Sequence, residues 1–237
     1  LEEKFNEPSD QFYKKYQAGE YKDDEDHKKW ADKYAAHLTV TEPLEELKKK
    51  ARGFTVAKRL AFIQCVGSRD FRFHPFCSGY CCMHSIKEAI IAQEHEPETT
   101  STIFGMDIRA IGKGFEEYKI RGGNNSNITY VRGRIAEITE GPNHNPVVTY
   151  EDTRERKVKN QEFDMVVLAT ACAPIKGIRT LAKTVGVELD KYNFIKTSSL
   201  SPVDTTTPGI FVCGCAESPM DVPESVAQAS SAAERAA

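Results

Sequence analysis

Residues 59–94 read RLAFIQCVGSRDFRFHPFCSGYCCMHSIKEAIIAQE. An apolar run at 60–66 has strand chemistry. It gives way to a loop, and then to a stretch, 83–93, whose apolar residues recur at helical spacing. Strand, loop, helix is the order in which a nucleotide-binding α/β fold keeps its glycine-rich phosphate loop. Here the loop carries Cys65, Cys77, Cys81 and Cys82, spaced C-x11-C-x3-C-C. Four thiolates is the ligand count of a [4Fe–4S] cluster. The leading reading is therefore a redox protein in which a cluster occupies the place of a pyridine-nucleotide phosphate. Two alternatives stay open. A zinc site usually shows paired C-x2-C knuckles, which are missing. Unligated thiols or a vicinal Cys81–Cys82 disulfide form the other alternative, although no C-x-x-C marks a dithiol exchanger.

Outward from this stretch the texture alternates between strand and helix. Further strands are expected at 100–106, 128–132, 134–138, 147–151 and 165–169, with a second helix at 114–121. Asn and Gly clusters at 124–127 and 141–145 mark loops. The pattern predicts an α/β, Rossmann-like domain with a β-meander. A less regular stretch, 171–208, leads to an apolar strand at 209–213 and an alanine-rich helix at 223–237.

The first fifty residues are different: highly charged, with few branched apolar side chains. Trp30, Tyr34 and Leu38 fall at i, i+4 and i+8, which predicts a helix over 26–37. Pro43, with Thr41 as cap, predicts a second helix from 43 to about 51. The expected division is 1–55 as a charged helical insertion or linker, 56–175 as the cluster-bearing domain, and 176–237 as part of a flavin-binding domain.

With 32 basic and 35 acidic side chains among 237 residues, the net charge is −3. Nucleic-acid binding, which favours a basic excess, is not expected. No apolar run reaches the roughly 20 residues of a membrane span. Seven cysteines in a chain without a signal-peptide pattern suggest metal or redox chemistry in a reducing compartment, the cytoplasm by default. A start at Leu1 and an end inside a helix-like run suggest a piece of a longer polypeptide.

A second signal is GIFVCGC at 209–215, followed by SVAQAS at 225–230. Small residues at the end of an apolar strand permit close approach of backbone to a ribityl chain. A helix that begins just afterwards directs its dipole at a flavin. Together with the cysteine loop, the runs FIQCVGSRD (62–70), FCSGYCCM (76–83), MDIR (106–109), DMVVLAT (164–170) and GIFVCGC (209–215) resemble the A-type subunit of heterodisulfide reductase, HdrA. They are also similar to its homologues in the quinone-interacting oxidoreductase of sulfate reducers. The resemblance runs from about Lys58 to the end.

That resemblance implies a thioredoxin-reductase-type core with FAD and iron–sulfur clusters, relaying electrons to partner subunits of a heterodisulfide-reductase-like complex. A homodimer is a further arrangement it allows. It implies that Cys65, Cys77, Cys81 and Cys82 ligate one [4Fe–4S] cluster. It further implies that Thr170, Gly214, Cys215, Asp221, Val222, Val226, Ala227 and Gln228 contact FAD. Cys215 stands where related disulfide reductases place an Asp. Ala171 replaces the usual glycine of Ala-Thr-Gly, the FAD G-x-G-x-x-G is missing, and no ferredoxin-type cysteine run is present. Two other functions remain in view. One is an NAD(P)H-dependent disulfide reductase using Cys81–Cys82 or Cys213 and Cys215; the other is a zinc-stapled assembly domain.

Overall fold

The computed structural model describes residues 8–21, 25–50 and 56–237, and the chain divides into two compact units, Leu1–Val56 and Ala57–Ala237. In the first unit, helix α1 (Ser9–Gln17) meets helix α2 (Glu25–Lys50) through aromatic side chains. The Phe12 and Trp30 rings stack at 3.8 Å, and the Trp30 indole N–H donates to Ser9 Oγ at 3.0 Å. The expected break at Thr41–Pro43 does not occur, and α2 runs unbroken to Lys50. Pro43 deletes one i→i−4 donor, but Ala, Leu, Glu and Lys on either side are strong helix formers and carry the helix through. Residues 51–55, including the expected end of the second helix, lie outside the described residues.

The second unit is built on a four-stranded parallel sheet in the order β3-β2-β1-β7. Its strands are β1 (Arg59–Val66), β2 (Thr100–Gly105), β3 (Ile128–Arg132) and β7 (Met165–Thr170). As a central strand, β1 is covered on both faces, so its sequence is a continuous apolar run. Successive side chains point to opposite faces. Leu60 and Phe62 pack with Met83, Ile86, Ala89 and Ile90 of helix α3 (Cys81–His95). Ala61 joins Phe104, Val148, Tyr150 and Phe163 on the other face. There an antiparallel meander closes the core: β4 (Ile135–Glu140), β5 (Pro146–Asp152) and β6 (Lys157–Glu162). Phe104 meets Tyr150 and Phe163 edge-on at 4.7 and 5.8 Å. Each such side chain contributes about 1.5–3 kcal/mol by leaving water.

Helix α4 (Phe115–Gly123) follows β2, and helix α5 (Ile178–Val185) lies in the stretch read as irregular. Left-handed glycines, Gly177 and Gly186, bracket α5. The expected strand at 209–213 is corrected: those residues form only an isolated bridge, Asp204 with Phe211. Gly209 and Gly214, both at positive φ, bound the run. Within it Ile210 O accepts from Thr205 N at 3.2 Å and Val212 N donates to Val203 O at 2.9 Å, too few bonds for a ladder. A short 3₁₀ turn, Gly214–Ala216, and helix α6 (Val222–Ala236) complete the unit. The architecture is α/β and Rossmann-like, with a β-meander.

Candidate redox centre

The carboxyl ends of parallel strands are where open α/β sheets bind ligands, and here they gather the reactive side chains. Cys65 sits near the end of β1, Asp107 and Arg109 follow β2, and Thr170, Ala171 and Cys172 follow from β7. A register irregularity separates Ile63 from Val66, and Cys65 takes a left-handed φ of 60°. A side chain in that region is strained by about 1–2 kcal/mol. The strain takes Cys65 out of the pleat and turns it toward the loop.

The other three cysteines lie on the loop and the first turn of α3. Tyr80 caps this helix without a side-chain hydrogen bond, and the first intrahelical bond is His84 N to Tyr80 O at 3.0 Å. The amides of Cys81, Cys82 and Met83 thus begin the helix with no intrahelical acceptor, and the helix dipole is positive there. Two of the four sulfurs sit on this electropositive turn.

Gly79 N donates to Cys77 Sγ at 3.3 Å. The Arg69 guanidinium pulls the Cys65 thiol down, the Ser78 hydroxyl the Cys81 thiol, and the Arg109 backbone N–H the Cys82 thiol. Ser78 is buried; its oxygen accepts from Cys172 N at 2.9 Å, and it shares a hydrogen bond of 3.2 Å with the Ser68 hydroxyl.

The sulfurs also sense one another. Burial pushes the Cys65 thiol up, against the pull of Arg69 and with a push from Cys77. Burial takes Cys81 up to about 11, opposed by Ser78 and reinforced by Cys82, Cys77 and Cys65. Cys82 is raised by burial and by Cys65 and Cys77. Such a set ionises together only when a multivalent cation replaces the protons. Among the described residues, no three His, Cys, Asp or Glu side chains converge tightly enough for a single metal ion.

The charged loop residues form two separate pairings. Arg69 grips Asp107 with both terminal nitrogens, one of them at 3.2 Å, and Arg109 Nε stands 3.7 Å from the same carboxylate. Asp70 instead folds onto Arg72, accepting from its backbone N at 2.9 Å and its guanidinium at 2.8 Å, with Arg134 at 3.9 Å. An aspartate side chain commonly reaches the amide two residues on, and here that turn wins over its neighbour. Arg72 and Arg134 hold the Asp70 carboxyl down at about 2.

Of the eight residues expected at FAD, Thr170 stands apart from the rest, paired with Val66 beside Cys65. Gly214 and Cys215 form the 3₁₀ turn, with Gly214 at φ 65°. Asp221 caps α6 in a reciprocal box: Glu224 N donates to Asp221 Oδ1 at 2.8 Å, and Asp221 N donates to Glu224 Oε2 at 3.0 Å. Val222 and Val226 stand exposed as an apolar face, and Ala227 is exposed beside them. The Gln228 side chain is engaged within the chain: its Oε1 accepts from Gly214 N at 2.6 Å and its Nε2 donates to Pro202 O at 3.3 Å. That clasp fixes the turn to the helix.

Between the first turns of α3 and α6 lies a groove of about 950 Å³, whose walls include Tyr80, Met83, Phe115, Tyr118, Met220 and Val222. Lys87 and Lys113 supply positive charge at its walls. Asp221 and Glu224 place carboxylates on the same walls. Asp221 and Val222 line it; the other six expected contacts do not. Sequence reasoning missed Ser78, Gly79 and Arg109 as groups acting on the sulfurs. The first two are legible as loop neighbours of Cys77. The Arg109 amide, 27 residues beyond Cys82, has no local signal.

The fold matches solved thioredoxin reductases. The enzyme from Lactococcus lactis superposes with a TM-score of 0.51 at 18% identity, over 77% of this chain and 52% of that one. That from T. acidophilum gives 0.52 at 20% identity, over 80% and 54%. This defines the class as a thioredoxin-reductase-like nucleotide-binding fold. No family model matches the chain. Similarity to curated proteins is much closer. The chain is 45% identical over 183 residues to the A-type subunit of the H(2):CoB-CoM heterodisulfide,ferredoxin reductase of Methanothermobacter marburgensis, covering 76% of this chain and 28% of that protein. It is 42% identical over 196 residues to the A-type subunit of the ferredoxin:CoB-CoM heterodisulfide reductase of Methanosarcina acetivorans, covering 81% and 24%. An A-type iron–sulfur subunit of the CoB–CoM heterodisulfide reductase of Methanopyrus kandleri is 44% identical over 184 residues, 76% of this chain and 28% of that protein. Over about three quarters of its length the chain is similar to the A-type subunits of heterodisulfide reductases, and it spans about a quarter of the length of these relatives.

Proposed function

We infer that this chain is the cluster-bearing, flavin-facing segment of an electron-transferring oxidoreductase subunit of the heterodisulfide-reductase type. Cys65, Cys77, Cys81 and Cys82 would hold one [4Fe–4S] cluster. FAD would lie along the groove and the α6 wall, with contacts from Thr170, Gly214, Cys215, Asp221, Val222, Val226, Ala227 and Gln228. Other subunits of a cytoplasmic complex would deliver and remove electrons, and a second copy of the chain is a further partner.

The observation that carries this reading is the gathering of Cys65, near the end of β1, with Cys77, Cys81 and Cys82 on the following loop and the first turn of α3, where Gly79 N donates to Cys77 Sγ. When bound, cluster and flavin supply the electron chemistry, the cluster in single-electron steps. The chain's own groups set the stage. The uncapped start of α3 and the Arg69 guanidinium offset thiolate charge. Burial of the Cys82 and Ser78 side chains limits water at the sulfurs. Asp107 fixes Arg69 in place through its two-pronged pair. Tyr80, at the head of α3, lies on the wall shared by the groove and the cysteine loop, so the two cofactors would sit across one side chain. Single Cys→Ser variants of the anaerobically purified full chain test the ligand set. Each should lose most of its iron, whereas a Cys213→Ser control keeps it. Retention of iron by any two of the four variants would contradict the assignment.

A further inference from the structure

Two buried side chains of the parallel sheet carry polar atoms with no hydrogen-bond partner among the described residues, Gln64 and Ser101. Ser101 offers a single hydroxyl and lies at the amino ends of the strands, level with Leu60. Gln64 is the larger anomaly. It is only 7% exposed, and both the nitrogen and the oxygen of its carboxamide are unmet. Buried polar groups are nearly always bonded, because an unmet one loses its water and gains nothing in return. The strand around it is a continuous apolar run, in which a leucine at 64 would carry no such penalty. Strand alternation sets the direction of the side chain. Leu60, Phe62 and Gln64 fall on one face of β1, and the first two pack with Met83 and Ile86 of α3. Because α3 joins the parallel strands β1 and β2, it runs back along the sheet, with its first turn at their carboxyl ends. Gln64 therefore lies toward the turn that bears Cys81 and Cys82, and its neighbour in the chain is Cys65. Gly105 on β2 makes room for it: a methyl group there would stand 3.4 Å from both Cβ and Cγ of Gln64.

We propose that the Gln64 carboxamide is a hydrogen-bond donor to the iron–sulfur cluster and raises its reduction potential. The proposal rests on the reading of Cys65, Cys77, Cys81 and Cys82 as cluster ligands. Cluster sulfur accepts hydrogen bonds and donates none, so the amide nitrogen is the atom it engages. The reduced cluster carries one more negative charge than the oxidised one. A donor is therefore worth more to the reduced state, and the buried setting strengthens the effect. The carboxamide has no proton to lose in the neutral range, so its contribution does not vary with pH there. Gly79 and Arg69 act on the sulfurs from the loop. Gln64 is the group that the sheet itself contributes, held on the central strand by Phe62 on one side and Cys65 on the other. The rival partner for a buried carboxamide is a trapped water, which would leave the cluster potential unmoved.

The test is the midpoint potential of the cluster in the full chain, purified without oxygen and read by spectroelectrochemistry, with iron and sulfide counted in every sample. Gln64→Met keeps the length of the side chain and removes the donor. It is expected to retain about four irons. At a fixed potential it should favour the oxidised state about fivefold, a negative shift of roughly 40 mV at about 59 mV per decade for one electron. Gln64→Leu, a second donor-free variant, should shift in the same direction, and Gln64→Asn, which keeps a carboxamide, should shift less. An unmoved potential in either donor-free variant that keeps its iron would overturn the proposal and assign the carboxamide to water. Loss of iron from both donor-free variants would overturn it too, since the side chain would then be needed to build the site rather than to tune it. A parent chain without iron and sulfide would overturn the cluster reading, and this proposal with it. A loaded parent with unmoved variants overturns the proposal alone.

Discussion

Ser78 shows how much one small side chain can settle. Its hydroxyl pulls the Cys81 thiol down, accepts from Cys172 N and shares a bond with the Ser68 hydroxyl. A hydrogen bond to a cluster sulfur stabilises the reduced, more negative state, so its loss lowers the reduction potential. Ser78→Ala is expected to shift the midpoint negative by about 40 mV, from roughly 1 kcal/mol per bond in a one-electron couple. Anaerobic spectroelectrochemistry reads the shift. Asp70 supplies a pH test. Its folded pKa, about 2, lies below the ordinary 3.8 because of Arg72 and Arg134. A depressed carboxyl contributes stability above 3.8 that is lost as pH falls toward 2. Asp70→Asn should therefore lower the unfolding midpoint at pH 6, and the difference from the parent should fade as pH drops through that window. Thermal unfolding at a series of pH values measures it. These residue roles were not legible in the sequence, since Arg69 pairs with Asp107, 38 residues away, rather than with its neighbour Asp70.

At the scale of elements, apolar runs told most of the story. The expected strands at 60–66, 100–106, 128–132 and 165–169 coincide with β1, β2, β3 and β7 to within a residue, because a buried parallel sheet makes its strands continuously apolar. Strand β6, KVKNQE, was missed: its side chains are mostly exposed, and only pairing with β5 makes it a strand. The signal for α5 was present, in Ile178, Ala182 and Val185 between two glycines, but it is only two turns long. The run at 209–213 failed the other way, since apolar character alone does not supply a pairing edge. Helix α3 depends on its apolar face. Ile86 is fully buried against the sheet, and Ile86→Ala should cost about 2–5 kcal/mol in a urea titration. Gly133 marks where β3 passes to β4: a methyl there would collide with Glu151 O. Gly133→Ala should destabilise the meander, and the same titration detects it.

Across the second unit, the cysteines gather in the loops beyond the carboxyl ends of the parallel strands. The parallel strands and α3 bring Cys65 together with Cys77, Cys81 and Cys82, which the spacing C-x11-C-x3-C-C had already set apart as a group. What the sequence could not convey is that Ser78 holds the Cys172 amide, since that depends on how distant loops pack. No helix of the described residues is long and apolar enough to cross a membrane. On the cysteine loop Phe71 and Phe73 are exposed, 95% and 65%, two large apolar side chains on a loop otherwise rich in charge.

The central claim, that four cysteines hold one four-iron cluster, is tested most directly by iron, acid-labile sulfide and zinc analysis of the full chain purified without oxygen. About four irons and four sulfides per chain, falling sharply in Cys81→Ser, are the predicted result. One zinc with no iron, or iron that survives the loss of Cys81 undiminished, would contradict it.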